Sequence, residues 1–253
     1  HEFSGDLRSW EAQVRHFSSR YRCIAFNARG YPPSDVPATP SQYSQKLAVE
    51  DIGSVMRHAG VGRAHIIGCS MGAYATLNFG LQHPRRALSL TAVGAGSGSD
   101  PRRRRQFLLD NGRMARLFEE KGMPAAVKAY RAGPARIQLA AKDPRGYREF
   151  WTRFAEHSAL GHACTLRGLQ RRRPTVYELG PGLAKCRVPM HVVVGDPAGN
   201  APHANGRADQ HPGFVLVNVP QGRKVDVFIL GLNVENLATH HPHVAGTVSQ
   251  LLN

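Results

Sequence analysis

Apolar positions in this chain form short runs that alternate with amphipathic stretches. Cys23-Ile24-Ala25-Phe26, Ala64 to Ile67, Leu88 to Val93, Met190 to Val194 and Phe214 to Val219 read as strands, because they are short, apolar and bounded by turn residues. A helix is predicted near Gln45 to Ala59, with Leu47, Ile52, Val55 and Met56 on its apolar side. A second follows Ala64 to Ile67, running from Ala73 through Phe79 and closed by His83-Pro84, where proline breaks a helix. Alternation of this kind predicts a mostly parallel sheet flanked by helices, an α/β class.

From about Ser97 to Lys185 the pattern changes. Strand-like runs give way to repeated helix starts, and Pro124, Pro134 and Pro144 suit a first helical turn. The expected organisation is a core of residues 1–96 and 186–253, with a helical lid of residues 97–185 inserted between strands. Tyr147, Phe150, Trp151 and Phe154 lie on one face of one lid helix. The stripe predicts a packing seam between lid and body, with Trp151 and Phe154 as candidates to line a substrate entrance. Gly94-Ala95-Gly96-Ser97-Gly98 follows a strand, but Ser99 stands where a dinucleotide loop needs its third glycine. No cofactor is expected.

Composition narrows the function classes. With 253 residues the chain has enough length for one sizeable core and a lid. No apolar run reaches the roughly 18 residues of a membrane span, so no membrane association is expected and the cytoplasm is the default compartment. Cys23, Cys69, Cys164 and Cys186 lack zinc-site or disulfide spacing, which predicts reduced, mostly buried thiols and no metal. The net charge of +15 is carried by arginine, with runs at Arg102 to Arg105 and Arg171 to Arg173. The basic residues are scattered and no aromatics interleave with the runs, so a solvated surface is expected rather than specific nucleic-acid binding.

The candidate chemistry lies at Gly68-Cys69-Ser70-Met71-Gly72. A G-x-S-x-G between a strand and a helix reads as a nucleophile elbow, which exposes the serine hydroxyl above the sheet. Further stretches extend the pattern: Ser9-Trp10, Arg29-Gly30-Tyr31-Pro32-Pro33-Ser34, Ala48-Val49-Glu50-Asp51-Ile52, Ala64 to Gly72, and Val188-Pro189 through Asp196. In that order they resemble the α/β-hydrolase superfamily, of the lid-bearing esterase, lactonase and C–C hydrolase type. The resemblance implies an α/β-hydrolase fold and a small ester, lactone or related carbonyl substrate. It makes Ser70 the nucleophile and the backbone N–H of Met71 an oxyanion donor. The second donor would be Phe3, in the loop His1-Glu2-Phe3.

Several positions depart from the family. Glu2 replaces a glycine and places a carboxylate near the developing negative charge. The strand that carries the first loop is missing, which predicts either direct pairing of Cys23–Phe26 with Ala64–Ile67 or a fragment of a longer product, truncated at its N-terminus. Ala198 occupies the usual acid position, so Asp196 is the nearest carboxylate, either the acid or a turn aspartate, with Asp209 a distant second. Arg223 stands where the base should be, and a guanidinium stays protonated. His240 and His241, with His243, are either a displaced base or surface and capping residues. Charge thins from His191 onward, as frame disturbance or divergence at the C-terminus produces. Two readings follow: a serine hydrolase, or a hydrolase-like protein with an incomplete catalytic set that at most binds a ligand.

Overall fold

A computed structural model of the chain describes residues 1–133, 136–194 and 215–218. In chain order the helices are α1 (Glu11–Phe17), α2 (Gln45–His58), α3 (Met71–Gln82), α4 (Pro101–Arg131), α5 (Ile137–Lys142), α6 (Pro144–Ala155), α7 (Ala159–Cys164) and α8 (Val176–Lys185). The strands are β1 (Ala64–Cys69), β2 (Ala87–Val93), β3 (Met190–Val194) and β4 (Val215–Asn218). Contacts divide the chain into two units, His1–Val61 with Gly96–Pro181, and Gly62–Ala95 with Gly182–Asn253. Among the described residues no helix is long and apolar enough to cross a membrane.

The second unit holds the sheet, in the order β1-β2-β3-β4. β1 pairs in parallel with β2, and β2 in parallel with β3. The connection from β1 to β2 is α3, which packs on both strands, as a crossover between parallel neighbours requires. Most of α3 is buried, from Met71 through Gly80. β4 runs antiparallel to β3, with Val193 opposite Leu216. An apolar run marks a strand but carries no direction, which the path of the returning chain decides.

The sheet has no strand from Cys23 to Phe26, and β1 does not pair with those residues. The segment joins no ladder, and Ile24 is 43% exposed. Apolar character alone does not make a strand, because its N–H and C=O groups need a neighbouring backbone.

The first unit is built mainly of helices. α4 bends at Gly122 (φ 69°, ψ −171°), and Pro124 follows in the first turn of the second half. Proline is tolerated there because that turn needs no N–H from it. Pro144 opens α6, capped by the Asp143 carboxylate on Gly146 N at 2.8 Å. Pro134 lies outside the described residues. α7 continues into a wider π-helical turn, Thr165–Gln170. Phe3, Phe118, Met123, Trp151, Phe154, Ala163 and Leu166 form the core of this unit.

α2 starts at Ser44, whose hydroxyl accepts from Leu47 N at 3.1 Å. It buries Gln45, Val49, Ile52 and Met56, whereas Leu47 and Val55 are only half-buried. The buried face is therefore rotated from the one expected, with Val49 at its centre. Arg29 and Asp51 form a two-pronged ion pair, at 3.0 and 2.7 Å, joining the turn after Cys23–Phe26 to α2. Of the four cysteines, all unbridged, Cys164 is buried and the other three are half-buried.

Candidate active site

Ser70 stands between the last residue of β1 and the first of α3, with φ 50° and ψ −104°. A non-glycine residue at such angles costs on the order of 1–3 kcal/mol, so the surrounding structure must hold it there. Two features do so. Ser70 N donates to Val93 O at 2.7 Å, fixing the turn to the C-terminal end of β2. Gly68 lets the strand and helix approach closely: a Cβ at that position would overlap the Gly72 carbonyl and come within 2.6 Å of Thr76 Oγ1.

The Ser70 side chain is partly exposed, and its hydroxyl hydrogen-bonds to no described residue. Met71 opens α3, whose dipole favours negative charge at this end. Strand, strained serine and helix N-terminus together give a hydroxyl beside a site suited to a developing oxyanion. Two of the described histidines of this unit have other surroundings. His65 Nδ1 is 2.7 Å from Ser89 Oγ, and His191 is buried within β3.

Phe3, Trp151 and Phe154 come together in the first unit. Phe3 is 8% exposed, Trp151 4% and Phe154 0%, all in the same apolar core. Of the aromatic stripe of α6, Trp151 and Phe154 are buried in this core, and Tyr147 and Phe150 are partly buried against it. Phe3 O accepts from Tyr31 Oη at 2.8 Å. Glu2 pairs with Arg136 at 2.9 Å, and Arg136 in turn stacks over Phe150, 3.7 Å from the ring centre. The carboxylate that departs from the family pattern is therefore balanced by a cation 134 residues away, a pairing that no local sequence signal announces.

A buried polar cluster surrounds Phe3. His162 Nε2 lies 3.1 Å from Phe3 O and its Nδ1 3.0 Å from Ser158 O. Burial, with repulsion from His157, pushes the His162 pKa down to about 3. His157 Nε2 lies 3.1 Å from Asp6 Oδ2, and burial lowers its pKa despite that carboxylate. Burial acts to raise the Asp6 pKa, but hydrogen bonds from Arg8 and His157 outweigh it and hold the carboxyl at about 2. Sequence reasoning passed over Asp6, His157 and His162, because 151 residues separate the first pair.

Asp196, His240 and His241, the candidate acid and bases, lie outside the described residues, as do Ala198, Asp209, Arg223 and His243. Ser70 and Met71 are the predicted site residues that the second unit places side by side. Among the described residues no three histidine, cysteine or carboxylate side chains gather as metal ligands.

Comparison with known proteins adds four findings. A family model described as alpha/beta hydrolase fold matches residues 1–161, more than half of the chain. The putative carbamate hydrolase RutD of Caulobacter vibrioides is 32% identical over 98 residues, which is 39% of this chain and 36% of that protein. Epoxide hydrolase 3 of Xenopus tropicalis is 27% identical over 95 residues, 38% of this chain and 26% of that protein. The chain thus spans about a quarter to a third of the length of these two curated relatives. In structure it is similar to the enol-lactonase from Burkholderia xenovorans LB400. The TM-score is 0.64 at 20% identity, covering 76% of this chain and 68% of that one. At that identity the likeness shows the fold alone.

Proposed function

Because the chain belongs to the α/β-hydrolase family, we propose that it is a serine hydrolase of small ester or lactone substrates, with Ser70 as nucleophile. One observation carries this reading: Ser70 is held at φ 50°, ψ −104° between β1 and α3, with its hydroxyl engaged by no described residue. Ser70 Oγ attacks the carbonyl carbon, the carbonyl oxygen takes up negative charge, and the serine proton passes to a base. Serine needs that base because its hydroxyl is a weak nucleophile at neutral pH. Met71 N–H, at the positive end of α3, meets the oxyanion, and such a donor contributes about 10²–10³ in rate. Asp196 as acid and His240 or His241 as base are carried by the sequence resemblance, as is Phe3 as second oxyanion donor.

A second reading, a hydrolase-like protein that binds its ligand without turning it over, rests on the sequence, where Ala198 and Arg223 stand at the positions the resemblance gives to the acid and the base. Hydrolysis of p-nitrophenyl acetate and butyrate by the chain and by Ser70→Ala separates the two. The enzyme reading expects a fall of about 10³-fold or more in the variant, with a fluorophosphonate adduct on the Ser70 peptide of the unmodified chain. Equal rates and no adduct refute the enzyme and leave the binding protein.

A further inference from the structure

The arginine runs of the first unit divide into side chains that the fold uses and side chains it leaves over. Arg104 donates to Gly98 O at 2.9 Å and to Arg173 O at 3.1 Å. Arg173 is 2% exposed and donates to Ser97 O at 2.9 Å. Arg167 forks onto the Glu119 carboxylate, with Nε 2.6 Å from Oε1. Arg171 and Arg172 differ: neither side chain hydrogen-bonds or ion-pairs with any described residue.

Those two arginines, with Arg167, Pro40 and Leu108, line a cleft of about 400 Å³. The Arg171 guanidinium lies against Gly112 of α4, where a Cβ would sit 3.7 Å from Arg171 Cζ. Acidic groups nearby are occupied. Glu119 balances Arg167, and Asp110, two residues beyond Leu108 on α4, takes Arg113 at 3.2 Å and Gln106 at 2.9 Å. Among the described residues these two cationic forks have no carboxylate partner, and they lie beside an apolar wall of proline and leucine.

Planar guanidinium forks match the oxygens of a phosphate better than a point charge does. A phosphate monoester carries about −1.5 to −2 charge at pH 7, close to the charge of the two unbalanced arginines. We propose that this cleft binds a small phosphate monoester, its phosphate between Arg171 and Arg172 and its organic part against Pro40 and Leu108. The site does not depend on the chemistry assigned to Ser70.

Calorimetric titration of the whole chain with inorganic phosphate and with phenyl phosphate, at constant ionic strength, tests the site. One saturable site is expected, tighter for phenyl phosphate because of the apolar wall. R171Q/R172Q should weaken it at least about ten-fold, while R85Q/R148Q, which removes the same charge elsewhere, should change it less than about two-fold. Far-UV circular dichroism confirms the fold of each variant, and the single variants R171Q and R172Q repeat the comparison if the double variant unfolds. No saturable phenyl phosphate binding up to about 10 mM overturns the proposal, as does equal weakening by both double variants. Retention of single-stranded DNA or phosphatidic-acid vesicles that phenyl phosphate does not displace also overturns it, since the patch would then serve a macromolecule or lipid surface.

Discussion

Acidification from pH 7 to pH 5 tests the buried cluster of the first unit through His162. Its ring is fully buried, 4.8 Å from the ring centre of Tyr31 and 5.2 Å from that of His157. Both ring nitrogens face carbonyl oxygens, yet a neutral imidazole has only one N–H to offer. Protonation would satisfy both acceptors, but it would also bury a charge, and burial prevails: the pKa falls from 6.5 to about 3. In the unfolded chain the ring titrates at its ordinary value. Below that value the unfolded state holds a proton that the folded state refuses, so stability falls with pH from about 6.5 and the loss is complete near 3. At 1.36 kcal/mol per unit, the full effect is about 5 kcal/mol, of which about 2 kcal/mol has been lost at pH 5. His157, also lowered by burial, acts in the same direction. Asp6, held at about 2, is ionised in both states over this interval and adds little slope. Urea unfolding followed by tryptophan fluorescence at the two pH values, on the chain and on His162→Gln, isolates the residue. The unmodified chain should lose about 2 kcal/mol more than the variant between pH 7 and pH 5. Parallel pH dependence in the two proteins, or a relative gain by the unmodified chain at pH 5, would refute burial as the dominant force on this ring.

Other substitutions separate the strained elbow from the packed core. Ser70→Gly should raise stability by about 1 kcal/mol, because glycine adopts positive φ without cost, while removing any Ser70-dependent hydrolysis; thermal melts and the nitrophenyl ester assay read the two effects. Gly68→Ala should destabilise the second unit by about 3 kcal/mol or more, since its Cβ meets backbone at Gly72 that has nowhere to move; a melting temperature within a degree of the parent would contradict that overlap. Phe154→Ala should cost about 3–5 kcal/mol in the first unit, measured by urea unfolding, because the ring is wholly buried among Phe118, Tyr130, Trp151 and His162.

Elements whose cause is local were legible in the sequence. Ala64 to Ile67 and Leu88 to Val93 became β1 and β2, the stretch closed by His83-Pro84 became α3, and Pro144 opened α6. The elbow was legible for the same reason, since its glycine spacing answers a clash within five residues. Cys23–Phe26 was misread because a strand requires a partner that its own residues do not supply. The direction of β4 and the buried face of α2 were also unreadable, as each is set by what packs alongside. The arginine runs read as uniform surface, whereas the fold assigns Arg104 and Arg173 to carbonyl groups and leaves Arg171 and Arg172 facing a cleft.

By itself the sequence determined the family pattern, the alternation of strand and helix, and Ser70 at the turn between them, because hydrophobic period, proline and glycine act over a few residues. Only the tertiary structure decided that Glu2 meets Arg136, that Asp6 meets His157, and that His162 is buried against Phe3. Those pairings join residues more than 130 positions apart. Each exists because folding removes the groups from water and offers them one another, a condition that no local pattern encodes.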